Sequence, residues 1–252
     1  MPHTKRKFGV YRAEGDPPAG GGLGAMLLAK LMGGGGGEGS EIPGLPTEEG
    51  KVVREGNHLY FYAEVCKETC LKFARILHDA ATDAQVDFLT MDLTAPPMLY
   101  LHISSLGGDL DQGFLIADKI AEYQDEEARV PVAFTSICEG EVASAATLIS
   151  TAAKHRKIQK NATMLIHQLR GGFWGKHEEI EDFAENTKAA EKRIVDHYLA
   201  NTNYEEEELV EILGREIELD AEECVRKGLV DEIICPSERP RKRARRTRSK
   251  KA

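Results

Sequence analysis

The sequence predicts an α/β protein, and three observations carry the prediction. From about residue 51 to 236 strand-like and helix-like segments alternate, the pattern of helices packed on sheets. The chain has 252 residues, of which 41% are hydrophobic and 30% charged, enough for one large domain with a sizeable core. No apolar run approaches the roughly 20 residues that span a bilayer, which excludes a membrane protein.

The elements follow in order. NHLYFYAEV (57–65) is rich in aromatic and branched residues and reads as a strand. CKETCLKFARILHDAATDAQ (66–85) repeats its apolar residues at three and four and reads as an amphipathic helix. MLYLHISS (98–105) is a second strand, GFLIADKIAEY (113–123) a helix, and VPVAFTSIC (130–138) a buried strand. ASAATLISTAA (143–153) is a helix apolar enough to sit inside the core, and ATMLIHQ (162–168) is a short strand. A long charged helix, KHEEIEDFAENTKAAEKRIVDHYLAN (176–201), and a closing strand, GLVDEII (228–234), complete the domain.

The ends differ from this body. Residues 1–50 hold 14 of the 24 glycines, with GGG at 20–22 and GGGGG at 33–37, and such a run is expected to be flexible. The stretch AMLLAKLM (25–32) between them is apolar enough to dock on a partner, but too short for a stable isolated helix. The glycines follow Pro17 and Pro18 rather than a strand, and no Gly-Lys-Ser/Thr closes them, so they are not a phosphate-binding loop. The formal net charge is -9; residues 237–252 carry nine Lys/Arg against one acid, or +8, which leaves -17 for the rest. An acidic body is a poor nucleic-acid surface, whereas the tail suits phosphate backbones, an acidic partner or a nuclear import receptor. Cys66, Cys70, Cys138, Cys224 and Cys235 make an odd set without a second ligand pair beside Cys66 and Cys70, so thiols rather than disulfides or a zinc site are expected. The N-terminus lacks an apolar signal core, and Glu14 and Asp16 argue against a transit peptide, so the expected location is intracellular, in the cytoplasm, with the nucleus reachable through the tail.

Three segments put a reactive group where a strand ends or a helix begins. Gly107 and Gly108 follow MLYLHISS directly, so the chain can turn sharply there with a backbone N–H left unpaired. ICEGEVASAA places Ser144 at the start of an apolar helix, where the next N–H, that of Ala145, is an orphan donor of the first turn. His167 ends a strand and is followed by Gln168 and Gly171–Gly172. Acyl transfer needs a nucleophile, a base and two oxyanion donors, and these segments supply a candidate for each. Each also has a plainer use: an N-cap serine, a surface histidine, a Gly-Gly turn.

The order and wording of the segments resemble the Clp protease proteolytic subunit (ClpP) family over roughly 55–236. SLGG after the strand is similar to the family's Ser-Pro-Gly-Gly, ICEGEVASAA to the segment around its nucleophile, and MLIHQLRGG to its Met-Ile-His-Gln-Pro-Leu-Gly-Gly. The helix 176–201 resembles its handle helix, and LDAEECVRKGLVDEII (219–234) its final helix and strand. The resemblance implies a crotonase-type fold of repeated strand-strand-helix units with a protruding handle helix. It also implies a peptidase domain over 51–236, flanked by the flexible segments 1–50 and 237–252. Ser144 falls on the family's nucleophile, His167 on its general base, and Gly108 and Ala145 on its oxyanion-hole positions. The third member is an Asp in the family and falls on Glu216 here, one methylene longer, with Asp220 the nearest other carboxylate. Leu106 and Leu169 replace the family's prolines.

By the same resemblance the protein would be a serine endopeptidase with a polypeptide substrate, working as a homo-oligomer of stacked seven-membered rings served by an AAA+ ATPase, without metal or organic cofactor. Two other readings stay open: a catalytically silent ring subunit whose acid has drifted to Glu, and a processing protease that needs no ATPase.

Overall fold

The computed structural model describes residues 51–91 and 94–234; the Gly-rich segment with its AMLLAKLM stretch, Cys235 and the basic tail lie outside the described residues. By their contacts, 51–171 with 182–234 form one unit, and 172–181 are not counted in it. In chain order the elements are β1 (Lys51–Glu55), β2 (His58–Tyr62), α1 (Lys67–Thr90), β3 (Met98–Ser105), α2 (Leu110–Gln124), β4 (Ala133–Ala143) and α3 (Ala145–Thr151). β5 (His155–Gln159), β6 (Thr163–Leu165), α4 (His177–Asn201), α5 (Glu206–Leu213), α6 (Ala221–Arg226) and β7 (Glu232–Ile234) follow. The class is α/β, as predicted, with strand-strand-helix groups at β1-β2-α1 and β5-β6-α4 and single strand-helix steps between them.

The strands form one sheet in the order β1-β2-β3-β4-β5-β7, with β6 also paired to β4. Among the described strands only the β1–β2 pair is antiparallel. Strand β4 positions the site because it changes neighbours along its length. Its first part lies between β3 and β5, with Ile137 opposite His102 on one side and Lys157 on the other. Past Gly140, at φ 63, it pairs with β6, Ala143 opposite Leu165. The sequence predicts a strand ending at 138 and a helix from 143. Instead the strand continues through the in-strand glycine to Ala143, and Ser144 alone makes the corner.

The core follows from the apolar periods. α1 buries Cys70, Phe73, Leu77, Ala80, Ala81 and Ala84, a stripe at helical spacing, and Phe73 meets Phe61 of β2 edge-on with ring centroids 5.2 Å apart. α2 starts three residues earlier than predicted because Asp109 caps it, accepting from the Gln112 N–H at 3.1 Å. Every residue of α3 is buried. β1, β5 and α5 were not predicted: among them only Val52, Ile158, Leu209 and Leu213 are buried, too few apolar positions to show a period. The closing strand shrinks to 232–234, while Leu229 and Val230 of its predicted start are buried in the preceding turn. The described cysteines are free thiols, and burial pushes Cys138 and Cys224 up to about 12, which makes them packing groups. Among the described residues no helix is long and apolar enough to cross a membrane.

Candidate active site

β4 ends at Ala143 and α3 begins at Ala145, so one residue must redirect the chain. Ser144 does so at φ 54 and ψ -130, the one positive-φ residue other than glycine among those described. Such a backbone costs about 1–3 kcal/mol and persists only where its surroundings over-determine it. Here they do. The Ser144 N–H donates to the Leu165 carbonyl at 2.8 Å, and the Ser144 carbonyl accepts from the Thr147 N–H at 2.9 Å and from Thr147 Oγ1 at 2.5 Å. A sharp strand-to-helix turn of this kind presents its hydroxyl at the end of the sheet. The hydroxyl caps nothing, unlike the carboxylates of Asp109 and Asp220, so the plainer N-cap use does not account for Ser144.

The turn after β3 closes against this corner. Gly107 lies at φ 91, and a Cβ there would come within 2.6 Å of both the Ala143 oxygen and Ser144 Cβ. Gly108, at φ 146, is pressed to Val65, where a Cβ would meet the carbonyl oxygen at 2.3 Å. The Val65 N–H donates to the Gly107 carbonyl at 2.8 Å and the Asp109 N–H to the Val65 carbonyl at 2.7 Å, which pins the turn from both sides. The N–H groups of Gly108 and Ala145 donate to no acceptor among the described residues.

His167 comes two residues after β6, whose Leu165 is both the partner of Ala143 and the acceptor for Ser144. Its Nδ1 lies 2.6 Å from the Gln168 carbonyl oxygen. A carbonyl only accepts, so Nδ1 carries the proton and Nε2 is the basic nitrogen of the neutral ring. The segment with Glu216 runs beside this strand: Leu219 bridges Met164 in both directions and the Gln168 N–H donates to the Leu213 carbonyl at 2.6 Å. Glu216 is nevertheless engaged elsewhere. Arg170 Nη2 lies 2.5 Å from its Oε2, and this hydrogen bond, with a smaller contribution from the nearby His167, holds the carboxyl below its usual range. Ser144, His167 and Glu216 thus lie on neighbouring segments, but the relay between them is not closed in this structure. Asp220, the other carboxylate, is occupied as the cap of α6, accepting from the Glu223 N–H at 2.8 Å.

Three strand-end turns at one end of a mostly parallel sheet are where such sheets place their chemistry. The family model described as Clp protease matches residues 55–237. The chain belongs to the Clp protease family. Among solved structures it is similar to a mutant of ClpP1 from Listeria monocytogenes, with a TM-score of 0.59, 23% identity, and coverage of 72% of this chain and 93% of that one. At that identity the likeness speaks for the fold, the ClpP or crotonase-type fold that the sequence predicts. Around the Clp-family site, sequence reasoning missed Arg170, Thr147 and Tyr198. Thr147 has a sequence signal, a hydroxyl three residues after Ser144 at the helix's cap position. Arg170 shows only as a charge between His167 and Gly171, and nothing along the chain marks Tyr198.

Proposed function

We propose that this Clp-family chain is a serine endopeptidase acting on unfolded chains and peptides. The observation that supports it best is the Ser144 corner: a strained residue with an unemployed hydroxyl, flanked by the unengaged N–H groups of Ala145 and Gly108. In the proposed reaction Ser144 Oγ attacks the peptide carbonyl carbon while His167 Nε2 takes its proton. The imidazolium then hands that proton to the departing amine, and water repeats the sequence to free the acyl group. The two N–H groups take the oxyanion. Glu216 turns from Arg170 to the Nδ1–H of His167, orienting the ring and stabilising its cation. The scheme draws on no metal or organic cofactor, because the chain supplies each group. From the family resemblance come a peptidase domain over 51–236, stacked seven-membered rings meeting through α4 and an AAA+ ATPase feeding substrate; from the N-terminal sequence and the +8 charge of 237–252 come a cytoplasmic location and a tail open to nucleic acid or an import receptor.

A fluorophosphonate tests this. It should label Ser144 in the assembled oligomer, and Ser144→Ala should abolish both labelling and cleavage of short peptides. Glu216→Gln should lower turnover by on the order of 10²-fold or more. An unlabelled wild-type oligomer would sink the proposal in favour of a second reading, a catalytically silent ring subunit. The open relay, with Glu216 on Arg170 and His167 on its neighbour's carbonyl, is the observation that favours it.

A further inference from the structure

We infer that Thr147 and Tyr198 are positioning residues that orient the Ala145 N–H, one of the two proposed oxyanion donors. The inference rests on the serine-peptidase reading and adds the residues through which α4 acts on that site. Its basis is a directed chain of hydrogen bonds. The Ser144 carbonyl oxygen has no hydrogen to give, so Thr147 Oγ1, 2.5 Å away, donates its single hydrogen to it. Thr147 Oγ1 then has only acceptor capacity left for Tyr198, whose hydroxyl lies 2.6 Å away, so Tyr198 donates. The order is Tyr198 O–H to Thr147 O–H to the Ser144 carbonyl, and it lies in the interior: Thr147 is 0% and Tyr198 2% exposed. Burial raises the Tyr198 hydroxyl well above its ordinary range, which keeps it a donor.

The Ser144 carbonyl and the Ala145 N–H belong to one planar peptide and point in opposite directions. Whatever fixes the carbonyl toward Thr147 therefore aims the Ala145 N–H away from it, out of the helix start and toward the turn of Gly107 and Gly108. That peptide follows a residue at φ 54, where the backbone is strained and a rotated peptide is the natural relief. A second tie, from the adjacent residue of α4, steadies the same helix. Thr151 Oγ1 donates to the Thr147 carbonyl at 2.7 Å, so it accepts from His197 Nε2 at 2.8 Å. α4 buries only Ile194 and Tyr198 along its 25 residues, and one of the two is spent on this chain.

The test compares Thr147→Val, which keeps shape and loses the hydroxyl, with Thr147→Ser, which keeps the hydroxyl, and with Tyr198→Phe. Removing a whole oxyanion donor costs roughly 10²–10³-fold in kcat, so misaiming one should cost about 10–100-fold in Thr147→Val and a few-fold in Tyr198→Phe. KM for a short peptide should stay constant, a peptide boronate that mimics the tetrahedral state should lose affinity in step with kcat, and Thr147→Ser should stay within about 3-fold of wild type. Thr147→Val with wild-type kcat and boronate affinity would overturn the inference. Should that variant not fold, Tyr198→Phe at the wild-type rate would do so equally. A wild-type oligomer that no fluorophosphonate labels defeats the serine reading and this inference with it, whereas labelling at equal rates in wild type and Thr147→Val defeats the inference alone.

Discussion

Ser144 and Glu216 are held in opposite ways. Ser144 sits in a strained conformation among buried neighbours, with its backbone fixed by three hydrogen bonds and its flank closed by Gly107. Glu216 lies on an exposed segment, and its carboxylate answers to one ion pair whose partners are each more than half exposed. An exposed pair of this kind is worth about 0–1 kcal/mol, against about 1–3 kcal/mol of backbone strain held in place at the serine. The half that holds Ser144, the proposed nucleophile, is therefore built once, at folding. The half that holds Glu216, the proposed acid, rests on an interaction weak enough for a change in salt to rearrange it.

The sharpest way to break the rigid half is Gly107→Ala. The added carbon would sit 2.6 Å from the Ala143 oxygen and Ser144 Cβ, at a φ that L-residues rarely adopt, so the turn or the Ser144 corner must move. The expected cost is about 3 kcal/mol of stability and loss of fluorophosphonate labelling, read as a lowered urea midpoint alongside the labelling rate. An unchanged midpoint would mean that the corner yields readily, and the contrast between the halves would lose its basis.

A pH series sharpens the comparison from the same side. Burial lowers His197 to about 4, against about 6.5 in an unfolded chain. Among the described residues the ring meets Phe114 and Tyr198 edge-on and bonds the Thr151 hydroxyl, while Arg193, paired with Asp111, lies over Phe114. Between those two values the unfolded chain binds a proton that the folded chain refuses. Stability should thus be full above about 6.5, fall with pH toward 4 by up to roughly 3 kcal/mol, and flatten below. Glu216 titrates in a lower window, because its folded value is depressed: its ion pair contributes above the ordinary carboxylate range and fades as pH falls through the lowered value. Urea midpoints from pH 7 to 4.5 should therefore fall in wild type and much less in His197→Phe; parallel curves would remove His197 from the account.

The sequence made one half of the site more legible than the other. Strand 98–105 announces itself by alternation, strand 162–168 and the buried helix after Ser144 by their apolar runs, and the long helix 176–201, which buries only Ile194 and Tyr198, by its length and charge. Ser144, Gly107 and His167 could be picked out because a strand end, a helix start and a Gly-Gly pair are local features. The family resemblance added Glu216. What stayed hidden is what depends on tertiary approach: β5 and α5, whose patterns are too polar to read, the partner exchange along β4, and the Tyr198–Thr147 contact across 51 positions. Arg170 belongs there too. Its charge is plain in the sequence, but its meeting with Glu216 follows from Gln168 and Leu219 tying the two segments together.

Arg170 also yields the smallest and most discriminating effect. If its ion pair holds Glu216 away from His167, Arg170→Leu should free the carboxylate and raise the fluorophosphonate labelling rate by about 2- to 5-fold, the equivalent of a surface pair worth up to about 1 kcal/mol. Salt gives an independent check. Raising ionic strength from about 0.05 to 0.5 M shortens the screening length several-fold, so the wild-type rate should climb toward that of the variant while the variant stays flat. The folded stability should move little, because both partners are solvent-facing and the segment is held by the backbone bonds of Gln168 and Leu219. A slower Arg170→Leu, with no salt response in either protein, would mean that the arginine supports the closed relay instead of competing with it. The Glu216 half would then be as built-in as the serine corner, held through Arg170.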